Sequence, residues 1–180
     1  MIEAFDLNDL SFTWKEEQDV TLGENRATEL WSGAVPGQAV RTKLSDVPRT
    51  IIISARLLDS DSTVLARYAN WCVMISSLLK LCVCLVTYAF RPEPFKFIDF
   101  PSPEKVALSV TVDDASADPA QVTLKSSLPI KGVVLDVEGS EDAKWSDQAI
   151  DLVPGDAQVV SVWGLKGRKV AARYLGDGSA

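Results

Sequence analysis

The chain holds no histidine. That excludes Ser-His-Asp and Cys-His nucleophile pairs, HExxH zinc sites and histidine proton relays in one step. What remains for chemistry is 25 acidic residues, three cysteines and five tryptophans. Cys72, Cys82 and Cys84 cluster in sequence, but a C-x-C pair with no second pair and no histidine is not a metal set. Seven acids crowd one stretch: Asp136, Glu138, Glu141, Asp142, Asp147, Asp151 and Asp156. Gly139 stands where a calcium loop needs a ligand, so the run reads as a solvated hairpin face. Paired-carboxylate hydrolysis needs two distinguished acids, and no sequence context singles out two of these. Trp14, Trp31, Trp71, Trp145 and Trp163 can stack on sugar rings, although tryptophan on a strand more often serves as half-buried packing. Gly164-Leu165-Lys166-Gly167-Arg168-Lys169 is too short for a phosphate loop and reads as a basic hairpin tip. No catalytic, cofactor-binding or metal-binding residue is therefore assigned, and substrate-binding residues stay unassigned.

The elements that would carry these residues are strands. Short β-branched runs alternate with turn residues: Phe5–Leu7, Ser11–Trp14, Glu29–Val35, Ile51–Leu58 and Val64–Trp71 in the first half. Asp59-Ser60-Asp61-Ser62 between the last two predicts a hairpin tip. In the second half Val106–Val112, Gln121–Lys125, Gly132–Val137, Ala149–Leu152, Gln158–Val162 and Lys169–Tyr174 read as a β-sandwich. Val153-Pro154-Gly155-Asp156 predicts a type II turn, with Pro154 presetting φ and Gly155 supplying a positive φ. Phe100-Pro101-Ser102-Pro103 marks a natural boundary. There is no room for the helices of a parallel α/β fold. A formal charge of -7 argues against nucleic acid, whose affinity rests on Lys and Arg.

One segment differs in composition. Cys72–Phe90 carries a single charge, Lys80, in a chain that is 24% charged. A transmembrane helix needs about twenty apolar residues. Here the apolar gain of roughly 0.3–0.6 kcal/mol per strongly apolar residue is offset by about 2.5–3.5 kcal/mol for Lys80, which makes insertion marginal. With no disulfide framework, no N-x-S/T sequon and no N-terminal signal sequence, a cytoplasmic location is expected, with membrane association through residues 72–90 as the alternative.

Trp145-Ser146-Asp147-Gln148-Ala149-Ile150-Asp151-Leu152-Val153-Pro154-Gly155-Asp156 resembles the W-S-D-N-x-F-D-L-x-P-G-E pattern in the last immunoglobulin-like domain of β-mannosidases of glycoside hydrolase family 2. Pro129–Val133 and Gly164–Gly167 are similar to the fungal members. Ser54–Asp59, Val64–Arg67 and Phe97–Pro101 are similar to that family's penultimate sandwich. Gln148 stands for the usual Asn and Ile150 for the aromatic. The resemblance implies an all-β fold of two immunoglobulin-like sandwiches, residues 1–100 and 101–180. The first is truncated at its start and interrupted at 72–91 by one apolar, helical segment. In the family these two sandwiches follow a (β/α)8 barrel that holds two catalytic glutamates. That barrel would be the partner, and no catalytic glutamate is carried over.

The resemblance also accounts for the odd segment. Deleting Cys72–Arg91 joins Trp71 to Pro92-Glu93-Pro94-Phe95-Lys96, the family's W-P-E-P continuation. Trp71-Cys72-Val73 must be encoded TGG-TGY-GTN, which contains an intron-like start, and Phe90-Arg91 can supply an AG end. Residues 72–91 are thus read as a translated retained intron. Three functions compete: a non-catalytic accessory region of a β-mannosidase, inactive alone and without cofactor; a single-pass membrane protein presenting β domains; and a free sugar-binding module using Trp145 or Trp163.

Overall fold

The computed structural model describes residues 1–24, 49–74, 98–139 and 142–178, with the side chains of 49 and 72–74 left aside. All regular elements among the described residues are strands, and the chain divides into two compact units, Met1–Ile98 and Asp99–Ala180.

The first unit holds an antiparallel sheet of β1 (Ile2–Asp6), β2 (Thr13–Glu16), β3 (Arg49–Leu58) and β4 (Val64–Met74), in the order β2-β1-β3-β4. Period-two alternation gives it two buried faces. Ala4, Ile51 and Ile53 pack with Phe12 and Trp14 on one. On the other, Phe5, Ile52 and Trp71 lie in register across three strands, all buried. The β3–β4 hairpin forms where the sequence places it. The Asp59 carboxylate accepts hydrogen bonds from the N–H groups of Asp61 and Thr63 and fixes the tip. β2 begins two residues later than the expected Ser11. The Asp9 carboxylate accepts the Ser11 N–H and the Asp9 carbonyl accepts the Phe12 N–H, so a turn consumes the residues before Thr13.

β4 runs past Trp71: Cys72, Val73 and Met74 continue the ladder opposite Ile51, Thr50 and Arg49. The expectation of a helical interruption beginning at Cys72 is corrected for these three residues, whose backbone is extended and paired. β-branched and apolar side chains suit a strand already templated by β3. The rest of the 72–91 segment, and the expected strand Glu29–Val35, lie outside the described residues.

The second unit is a sandwich of two sheets. One has the order β5-β6-β10-β8, from β5 (Ser109–Val112), β6 (Ala120–Lys125), β10 (Gln158–Trp163) and β8 (Lys144–Trp145). The other has the order β11-β7-β9, from β11 (Val170–Arg173), β7 (Ile130–Val137) and β9 (Ile150–Leu152). Four strands facing three is the immunoglobulin-like layering. The core lies between the sheets. Ala120, Val122, Leu124, Val160 and Val162 face Ile130, Val133, Leu135, Val137, Ile150 and Leu152, as the alternation in each strand dictates. β5 starts at Ser109, later than the expected Val106. Lys105 and Val106 donate to the Ser102 carbonyl in a turn, and Ala107 donates to the Ser127 hydroxyl. β8 is only two residues long, too short for periodicity to reveal.

The unit's start and end are locked together at Gly176, which has φ +96° and leaves only 2.5 Å between an added Cβ and Cβ of Phe100. No side chain fits there, and the left-handed backbone disfavours one independently. Gly176→Ala is expected to cost about 2–3 kcal/mol in the second unit, read as a lowered denaturant midpoint. An unchanged midpoint would refute this close packing.

Candidate functional site

Two regions gather the polar residues singled out above. The first is the belt where the Trp145–Asp156 run meets Pro129–Val133. Gly132 sits in a register shift of the β7–β9 ladder with φ +65°. Its N–H donates to Oδ1 of Asp151 at 2.9 Å, and Nζ of Lys131 pairs with Oδ2 of the same carboxylate at 2.9 Å. One carboxylate thus closes the bulge that β7 needs to stay in the sheet. Gln148 works at the next position: its Oε1 accepts the Leu135 N–H and its Nε2 donates to the Leu135 carbonyl, both at 2.8 Å. The side-chain amide stands in for a missing strand residue. Ala149 follows with φ 58°, so the chain turns sharply into β9. Gln158 Nε2 donates to the Asp151 carbonyl, tying β10 to the same point. At the expected type II turn, Asp156 N–H donates to the Val153 carbonyl at 3.2 Å and Gly155 has φ 78°.

The solvated-hairpin reading of the acid run is corrected on two counts. β7 and β8 belong to different sheets, so the intervening loop crosses the sandwich. Asp151 and Asp156 are not surface acids: Asp151 holds the bulge and Asp156 is buried. Asp136 and Asp147 accept the N–H of the following residue. Glu141 lies outside the described residues. Among the described residues no cluster of three or more acids or cysteines is placed to hold a metal ion.

The Gly164–Lys169 run is likewise no hairpin tip, because β10 and β11 lie in different sheets. Leu165 is fully buried in the core, and Arg168 folds back to donate to the carbonyls of Leu165 and Gly164. Arg168 also pairs with Asp142 at 3.2 Å, with Lys166 at 3.6 Å from the same carboxylate. The hydrogen bond from Arg168, followed by the charges of Arg168 and Lys166, holds the Asp142 carboxyl below the ordinary value. A carboxyl depressed in the folded state adds stability above its unfolded pKa and loses it as pH falls through the folded one. Arg168→Met is therefore expected to raise the Asp142 pKa toward the ordinary carboxylate value in a carboxyl NMR titration. An unmoved titration would show that Arg168 does not hold this group.

The second region is the outer face of the four-stranded sheet. Because Val160 and Val162 point into the core, Val159, Ser161 and Trp163 point out. Thr123 and Gln121 of β6 stand opposite Val159 and Ser161, and Lys144 of β8 stands opposite Trp163. Gln121 and Ser161 hydrogen-bond through their side chains at 3.1 Å. Trp145 faces inward and packs against the core, so the two tryptophans weighed together for sugar stacking part company. Trp14 packs in the first unit and Trp71 is buried there. Trp31 lies outside the described residues, as do Cys82 and Cys84. Sequence reasoning passed over Gln121, Ser161 and Lys144, yet the period-two pattern of β6 and β10 already put the first two on the face of Trp163.

No helix among the described residues is long and apolar enough to cross a membrane. Of residues 72–90, on which the membrane reading turned, 75–90 lie outside the described residues.

Comparison with known proteins adds the following. Residues 1–75 match the Mannosidase Ig/CBM-like domain family. Over 179 residues the chain is 29% identical to β-mannosidase B of Thermothelomyces thermophilus, covering 98% of this chain and 18% of that protein. It is 35% identical over 87 residues to β-mannosidase B of Aspergillus niger, covering 48% of this chain and 10% of that protein. It is 26% identical over 156 residues to β-mannosidase B of Aspergillus oryzae, covering 87% of this chain and 15% of that protein. The chain thus spans less than a fifth of the length of the curated relatives it matches.

Proposed function

We infer that this chain, which resembles the C-terminal part of fungal β-mannosidases, is a non-catalytic accessory region of such an enzyme. Its partner is a catalytic barrel that hydrolyses terminal β-D-mannosides. One observation supports this most. Within the runs that carry the resemblance, Lys131, Gly132, Gln148, Asp151, Pro154 and Gly155 are spent on joining strands and turns. A signature so used is that of a scaffold. The purified chain is expected to give no turnover of p-nitrophenyl β-D-mannopyranoside. Sustained hydrolysis that co-purifies with it and is lost on substitution of one of its own carboxylates would overturn the reading.

The expected cytoplasmic location belongs to the same proposal and is testable by fractionation. So does the retained-intron origin of 72–91, which is supported by the Trp71-Pro92-Glu93-Pro94 continuation that removing those codons restores. Full-length transcripts are expected to include a population lacking these codons. Uniform inclusion would refute that origin.

A further inference from the structure

We propose that the outer face of the four-stranded sheet in the second unit is a sugar-contact subsite, with the indole of Trp163 as the stacking platform for one pyranose ring. The site goes beyond the accessory role. Only the choice of mannosides as first probe rests on that reading.

Three observations carry it. Trp163 is 42% exposed although a tryptophan ring is the most costly side chain to leave in water. Among the described residues neither its indole N–H nor the ammonium of Lys144, its cross-strand neighbour, has a hydrogen-bond or ion-pair partner. The backbone under the ring is fixed on both sides. The Ser161 N–H donates to the Ser146 hydroxyl, the Gly164 N–H donates to Oδ1 of Asp118, and the Gly164 carbonyl accepts from Arg168. A platform held this firmly loses little conformational entropy on binding.

The chemistry around the ring selects the ligand class. Stacking takes the C–H face of a pyranose, while the indole N–H, Lys144, Ser161 and Gln121 offer donors and acceptors to its ring of hydroxyls. The buried core of a protein interface is instead more apolar than this and depleted of charged residues such as Lys144. Here the two exposed apolar residues of β10, Val159 and Trp163, are separated by Ser161, which is engaged with Gln121.

The test follows the tryptophan indole N–H signals of the full chain by NMR while mannobiose is added, with cellobiose and maltose in parallel. The expected result is a saturable shift of the Trp163 signal with a millimolar Kd for a β-linked disaccharide. Trp163→Ala should weaken binding at least about tenfold, and Trp163→Phe should retain part of it. A Trp163 signal that stays unmoved at saturating sugar would overturn the proposal, as would undiminished binding by Trp163→Ala. So would a shift that appears only on adding a β-mannosidase barrel protein, which would make the face a protein contact. None of these results bears on the turnover assay, so failure of the subsite leaves the accessory role standing.

Discussion

Arg56→Ala is expected to destabilise the first unit by about 3 kcal/mol. Glu3 stands opposite Ser54 in the β1–β3 ladder, so Arg56, two residues further along β3, is its diagonal neighbour on the same face. The two side chains form an ion pair at 9% and 15% exposure. At that burial, water screens little of the charge, and deleting one partner strands the other in a poorly solvated place. The cost therefore comes mainly from the orphaned Glu3 and much less from the attraction itself. That distinction can be measured. Glu3→Met with Arg56→Met removes both charges at once and keeps most of the volume, so the double variant should recover to within about 1 kcal/mol of the parent. Protection of the β1 and β3 amides against hydrogen exchange reads the first unit separately from the second. Additive losses in the double variant would show that each side chain acts through packing, and the ion-pair account would fail.

The β-class of both units was legible because alternation is read one residue at a time. Gln121-Val122-Thr123-Leu124 and Gln158-Val159-Val160-Ser161-Val162 declare inward and outward positions directly, and the core of the second unit follows from them. Which strand joins which sheet was not legible. Asp136–Asp156 and Gly164–Lys169 look like hairpins in sequence, since an apolar run, a polar tip and a second apolar run are common to hairpins and to sandwich crossings. The decision between them lies in long-range pairing: β8 with β10, and β11 with β7. The same blindness hid the role of Asp151. Its neighbours in sequence are unremarkable, and only the closure of the β7–β9 ladder brings Lys131 and Gly132 to it. For the candidate sugar face, the outward tryptophan was readable from period two. Lys144 was not, because a two-residue strand leaves no pattern.

Leu165→Ala tests the crossing architecture directly and should cost about 2–5 kcal/mol in the second unit. A hairpin tip would hold its leucine in water, where truncation changes stability by less than about 0.5 kcal/mol. In the sandwich crossing, Leu165 is fully buried among residues of both sheets, and truncation opens a cavity that the surrounding strands cannot fill without breaking ladder bonds. The residues beside it explain why a leucine can reach inward from a glycine-rich basic loop. Gly164 and Gly167 have φ of 79° and 74°, Lys166 has φ 52°, and the Gly167 N–H donates to the Ala115 carbonyl at 2.8 Å. With these left-handed residues around it, Leu165 is buried in the core while the Lys166 side chain lies in solvent. Lys166→Ala is the internal control: its side chain is 72% exposed, so the same loop should tolerate it with little change. If chemical denaturation gives Leu165→Ala and Lys166→Ala the same midpoint, the buried placement of Leu165 is wrong. The two-sheet core built around it would then have to be redrawn.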